Sequence, residues 1–281
     1  MPYILLLSYL IAAFGIQLFA GDFPVTFFAF PLNIIIGMIW IGGMLWIWKD
    51  ARKSQFVAFM LSKGASISAI ALFLVFCLVV GLTGIRSLVN SWVFVSFMLY
   101  FQTVLLFVIL RGWRSQTATG AYLGKIRWRF ILNHVGLFLV ISSAFWGAPD
   151  SETLRFQAYI DVPVRRAFSM DGKPSWLPCI MELKDFKVEF HDNGVPTMYE
   201  AEMLIDGEPV TLSVNHPYSL GFGRNIYLSG YDYDAGKSES CIIQVVTEPW
   251  KYGAIAGVGM MLAGALLLFI QGPKKRYVEE V

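Results

Sequence analysis

The sequence predicts a membrane protein of six transmembrane α-helices, with an exterior all-β domain (a sandwich or partly open barrel) between helices five and six. Three observations lead there. The chain of 281 residues is 56% hydrophobic and only 15% charged, with a mean hydropathy of +0.59. That is too little polar surface to cover a water-soluble body, and it excludes disordered, collagen-like and disulfide-scaffold classes. The apolar residues gather in six charge-free runs. The charges that remain are sorted sharply along the chain, although their sum is only +2.

The six runs are Met1–Gly21, Val25–Trp48, Gly64–Ile85, Ser87–Leu110, Phe130–Pro149 and Tyr252–Pro273. Each approaches the roughly 20 residues a helix needs to cross a hydrocarbon core of about 30 Å. Each must be helical, because lipid offers no partner to backbone N–H and C=O groups. Met1–Gly21 lacks a basic leader and is long for a signal-peptide core, so it reads as a retained span. Pro31 bends or caps the second helix. Trp46, Trp48, Trp92, Trp113, Trp128, Trp146 and Trp250 fall near span ends, where indole rings favour the headgroup level. Gly257, Gly259 and Gly264 in the last span would allow close helix contact, but the general enrichment of glycine in membrane helices is the safer explanation.

Orientation follows from the positive-inside rule. Lys49, Arg52, Lys53 and Lys63 follow span two. Arg111, Arg114, Lys125, Arg127 and Arg129 follow span four, and Lys274, Lys275 and Arg276 follow span six. The opposite short loops hold Asp22 and Arg86. Residues 1–149 are therefore expected to form a five-helix region with a cytoplasmic N-terminus. Residues 150–250 form the exterior domain, and residues 251–281 a sixth helix with a basic cytoplasmic tail.

Residues 150–250 carry sixteen acidic against eight basic residues. An acidic field repels nucleic acid and favours a basic partner. Strand patterns cover Thr153–Val162, Ile180–Phe190, Met198–Ile205, Pro209–Val214, Asn225–Tyr231 and Cys241–Thr247. They are separated by Asp171-Gly172, Asp192-Asn193-Gly194, Asp206-Gly207 and the Gly221–Gly223 turn. Cys179 and Cys241 lie in this domain, either as a disulfide or as two buried thiols. A thiol-redox role lacks a C-x-x-C motif.

No P-loop, H-E-x-x-H, G-x-S-x-G or C-x-x-C-H occurs, which argues against an ATPase, a zincin, an α/β-hydrolase or a c-type cytochrome. No Asp, Glu, Lys or Arg lies inside a span, so an ion-coupled transporter is poorly supported. His134 is the intramembrane ionisable residue, about 7–8 Å in from Arg129 by helical rise. A desolvated imidazole needs a partner: haem iron on one reading, a neighbouring helix on the other. His191 abuts a turn and reads as a solvated loop residue. His216 precedes Pro217, which favours an extended strand end, with an exterior haem or substrate contact as the alternative.

Trp128-Arg129-Phe130, His134-Val135-Gly136-Leu137, Leu183-Lys184-Asp185-Phe186, Val214-Asn215-His216-Pro217 and Ile226-Tyr227-Leu228-Ser229-Gly230-Tyr231 together resemble the ResB/CcsB-like cytochrome c biogenesis proteins (system II) over roughly Trp128–Gly272. The resemblance implies handling and delivery of haem across the bacterial inner (cytoplasmic) membrane, together with a CcsA/ResC-type partner, for attachment to apocytochrome c. The cofactor would be haem b, held non-covalently and transiently. His134 matches the family's axial-ligand position. Arg127 and Arg129 are candidate propionate contacts beside Arg111 and Arg114, and His216 is a further candidate. The tryptophan-rich W-x-W-D segment of the partner is absent, as is a histidine in the last span. The chain therefore reads as a subunit of a holocytochrome c synthase, without catalysis of its own, among membrane lipid. The alternative is a non-enzymatic, membrane-anchored assembly or binding protein for an envelope partner.

Overall fold

Long apolar runs satisfy their own backbone as helices, while alternating runs need a neighbour and pair as strands. The computed structural model describes residues 2–51, 53–84, 86–118, 127–190, 196–231 and 240–271. It separates the two kinds of element into two units, Met1–Pro149 with Tyr252–Val281, and Asp150–Lys251. His191, the Asp192-Asn193-Gly194 turn, Lys125 and the Lys274–Arg276 tail lie outside the described residues.

The first unit holds α1 (Pro2–Ala20), α2 (Leu32–Asp50), α3 (Gln55–Met60), α4 (Lys63–Thr83), α5 (Trp92–Ala118), α6 (Trp128–Gly147) and α7 (Lys251–Gln271). All but α3 are long and apolar enough to cross a membrane. The second span starts later than the apolar run suggests. Val25–Phe28 forms a 3₁₀ turn, and Pro31, with no N–H to give, stands at the N-cap of α2. Ser54 and Ser62 cap α3 and α4, accepting from Val57 N and Ala65 N at 3.3 and 3.0 Å. The fourth span runs on to Ala118, so Arg111 and Arg114 extend its helix rather than open a loop. α5 is the hub, with Phe97, Gln102 and Phe107 fully buried.

α6 and α7 approach through glycine. A Cβ on Gly136 would lie 2.6 Å from Gly257 O, and one on Gly264 would lie 2.6 Å from Asn133 Oδ1. Gly257 and Gly264 are thus contact glycines, whereas Gly259 has nothing within 4 Å.

The second unit is one antiparallel sheet of eight strands: β1 (Glu152–Tyr159), β2 (Pro163–Ser169), β3 (Pro174–Phe190), β4 (Pro196–Ile205), β5 (Glu208–Ser213), β6 (Tyr218–Gly221), β7 (Arg224–Tyr231) and β8 (Ser240–Thr247). The order β5-β4-β3-β2-β1-β8-β7-β6 pairs the first strand with the last and leaves the seam between β5 and β6. Those edge strands are consecutive, and a bridge between Ser213 and His216 tightens the turn that joins them. The sheet is a nearly closed barrel, which settles the choice left between sandwich and partly open barrel. Met181, Leu183, Ala201, Leu212, Ile226 and Ile243 fill it, each fully buried. β2 and β6 carry no sequence signal of their own. β2 exposes both its arginines, and β6 has four residues. The hairpin at Asp206-Gly207 has φ of 50° and 89°, as a two-residue turn of matching twist requires.

Cys179 and Cys241 are free thiols buried in the barrel. Burial pushes Cys179 up to about 11 and Cys241 up to about 12, which disfavours the reactive thiolate.

Candidate functional site around His134

α6 begins at Trp128, with Arg127 at its N-cap. Residues three and four apart share a helix face, so Arg127, Phe130 and His134 line up in one column. The Phe130 ring stacks on the imidazole, with centroids 4.1 Å apart and planes 30° apart. The Arg127 guanidinium lies over the other ring, 5.5 Å from the Phe130 centroid, and donates to Ser115 Oγ at 3.0 Å. Phe130 reaches this place because α5 presents Gly112 there; a Cβ would collide with the Phe130 ring. The column is therefore wedged against α5 and has little rotational freedom.

His134 Nδ1 lies 2.9 Å from Phe130 O, one turn back in the same helix. A carbonyl oxygen only accepts, so Nδ1 carries the proton and Nε2 of the neutral ring keeps its lone pair. Nε2 has no hydrogen-bond partner among the described residues. An Nδ1–H held by a backbone carbonyl is also the arrangement that orients a metal-ligating histidine. The open Nε2 is chemically fit to hold haem iron, with His134 as the one nitrogen donor of the column. His134 is half-buried, and no group of three or more metal-ligating side chains gathers among the described residues.

The other candidates separate. Arg129 is five residues from His134, about 140° around the helix, and so faces elsewhere. Arg127 shares the imidazole's face. Arg111 Nη1 donates to Leu61 O at 3.1 Å. His216 sits at the barrel seam. Its backbone N–H donates to Ser213 O at 3.1 Å after Asn215 turns at φ 63°, and its side chain is exposed.

Sequence reasoning missed a polar cluster inside the helical unit. Gln102 Oε1 accepts from Ser142 Oγ and from Trp146 Nε1, both at 3.1 Å, while buried Asn33 donates to Trp146 O at 2.8 Å. Trp146 is thus a cross-helix linker rather than a headgroup anchor. In the barrel unit Trp250 Nε1 donates to Asp150 Oδ2 at 2.7 Å. Gln and Asn among apolar neighbours were the available signal, because an uncharged polar side chain in a span needs an internal partner.

Comparison with known proteins bears on the same helix. Residues 124–256, which include α6 and the whole barrel, match the family model described as ResB-like family. The resemblance read from the sequence is to that family. Among solved structures the chain is similar to a protein titled Cytochrome c Heme Lyase CcmF, at 14% identity and a TM-score of 0.36. The match covers 86% of this chain and 46% of that one, so the chain spans less than half the length of that relative. No curated protein matches it.

Proposed function

We propose that this chain acts in cytochrome c biogenesis as a haem-handling membrane subunit. It works with a CcsA/ResC-type partner to bring haem across the bacterial inner membrane for attachment to apocytochrome c outside. The single observation that carries the reading is the oriented His134 ring, Nδ1–H held by Phe130 O and Nε2 open, on a helix within the ResB-like match.

Haem when bound supplies an iron that takes a neutral imidazole nitrogen as axial ligand. His134 offers that nitrogen in a fixed tautomer, and Phe130 holds the plane of the ring. Arg127, on the same face, offers a guanidinium to an anionic propionate. With His134 as the one intramembrane histidine, any second ligand to the iron would come from the partner. With Lys49, Lys63, Arg111 and Arg127 on the cytoplasmic side, His134 lies near the inner leaflet and receives haem from within. The acidic barrel then stands outside and holds the basic apocytochrome near the attachment site.

The test is the Soret absorbance of the co-purified pair, read beside cytochrome c maturation in cells. His134→Ala is expected to shift or abolish the band and to lower maturation at least tenfold, and added imidazole should restore the band in part. An unchanged spectrum with normal maturation would overturn the reading.

A further inference from the structure

The helical unit contains a cavity apart from His134. It measures about 960 Å³ and lies among α1, α2, α3, α4 and α5, at the upper end of the roughly 300–1,000 Å³ typical of ligand pockets. His134 does not line it. No charged side chain lines it either; its wall includes Leu6, Trp40, Phe59 and Leu99.

The polar groups of the wall without a protein partner sit by the starts of α3 and α4. Gln55 and Ser62 line it beside the capped starts of α3 and α4. Tyr3 brings its hydroxyl against Gly64, where a Cβ would collide with it. The Gln55 amide and the Tyr3 hydroxyl have no hydrogen-bond partner among the described residues. Two other hydroxyls of the wall are already engaged: Tyr9 donates to Ser96 O, and Tyr100 donates to Ala65 O beside Gly64. Three exposed cations flank the polar end. Lys53 lies two residues before Gln55, and Lys63 separates Ser62 from Gly64. Arg111 is anchored on Leu61 O, next to Ser62, and keeps guanidinium donors over.

We infer that this cavity binds one anionic glycerophospholipid, with one acyl chain along Leu6, Trp40 and Leu99 and its phosphate at the mouth by Gln55 and Ser62, within reach of the flanking Lys63 and Arg111. An apolar bay in a bilayer protein is filled by what surrounds it, and the cations select the head. Zwitterionic lipid satisfies the apolar wall but leaves Lys53, Lys63 and Arg111 without a net negative partner. Each basic residue near a membrane surface favours anionic lipid about fivefold.

The experiment uses the full chain with its partner, purified in mild detergent from membranes containing phosphatidylglycerol and phosphatidylethanolamine. Native mass spectrometry reads the lipid retained. One phosphatidylglycerol per chain is expected to survive a delipidating wash. Ala58→Trp fills the cavity and should reduce retention about tenfold. The double variant Lys63→Gln with Arg111→Gln changes only exposed positions. It should keep a lipid but lose about 25-fold of its preference for the anionic head. Equal retention in Ala58→Trp in a protein with an unchanged melting temperature overturns the proposal. So does equal retention of both lipids by the unsubstituted chain, a readout that needs no variant.

Discussion

The barrel and the helical unit are built inside-out relative to each other. In the barrel, Met181, Leu183, Leu212 and Ile243 are fully buried and the charges face water. In the helices, Phe19 is 95% exposed and Leu82 and Phe269 are each 83% exposed. These apolar side chains face lipid, which is as apolar as they are. The contrast shows that one residue type stabilises the two units by different means. Leucine in the barrel gains from leaving water. Leucine on a span gains little from leaving lipid, so helix association rests on close approach and shared polar groups, as at Gly136–Gly257 and Gln102–Trp146.

The largest expected break in that contrast is Leu183→Ala. Emptying a fully buried site should cost about 2–5 kcal/mol, read as faster alkylation of the buried Cys241 thiol. Leu82→Ala, on a lipid-facing surface, should leave Cys241 protected. Next comes Gly136→Val, whose side chain meets Gly257 O. Overpacking of about 1–3 kcal/mol is expected in detergent unfolding, while Gly259→Val, with open space around it, changes nothing. Gln102→Leu removes the acceptor shared by Ser142 and Trp146. It should cost about 0.6–2 kcal/mol, with a shift in tryptophan fluorescence as the Trp146 N–H loses its partner.

The smallest effect sits on the barrel surface. Hydrogen bonds from Lys173 and Ser169 hold the Asp171 carboxyl at about 2, below its ordinary 3.8. A depressed carboxyl stabilises the fold above its unfolded value and loses that contribution as pH falls through the folded one. Asp171→Asn should therefore melt slightly below the unsubstituted chain at pH 7. The gap closes between about pH 4 and pH 2.

Most of the architecture was legible. Charge-free runs mark helices whatever their neighbours, since each satisfies its own backbone. The alternation of β1 and β8 and the Asp206-Gly207 turn are equally local signals. β2 was not legible, because its exposed Arg165 and Arg166 break the alternation. The start of β3 was hidden by Pro174 and Pro178. Around His134 the residue type and its span could be read directly. What could not be read is that Gly112 on α5 seats Phe130, which in turn stacks on the imidazole. The grouping of Tyr3, Gln55, Ser62 and Leu99 around one cavity likewise depends on helices distant in sequence.

The sequence by itself determined the six helices, most of the strands and the histidine, since hydropathy, periodicity and turn chemistry act over a few residues. Only the tertiary structure decided that the strands close at a β5–β6 seam rather than stack as two sheets. It also decided that Gly112 on α5 seats Phe130 beside the imidazole, and that Gly257 and Gly264 but not Gly259 meet α6. Those outcomes depend on which distant surfaces fit against each other, and packing of that kind leaves no local pattern in the chain.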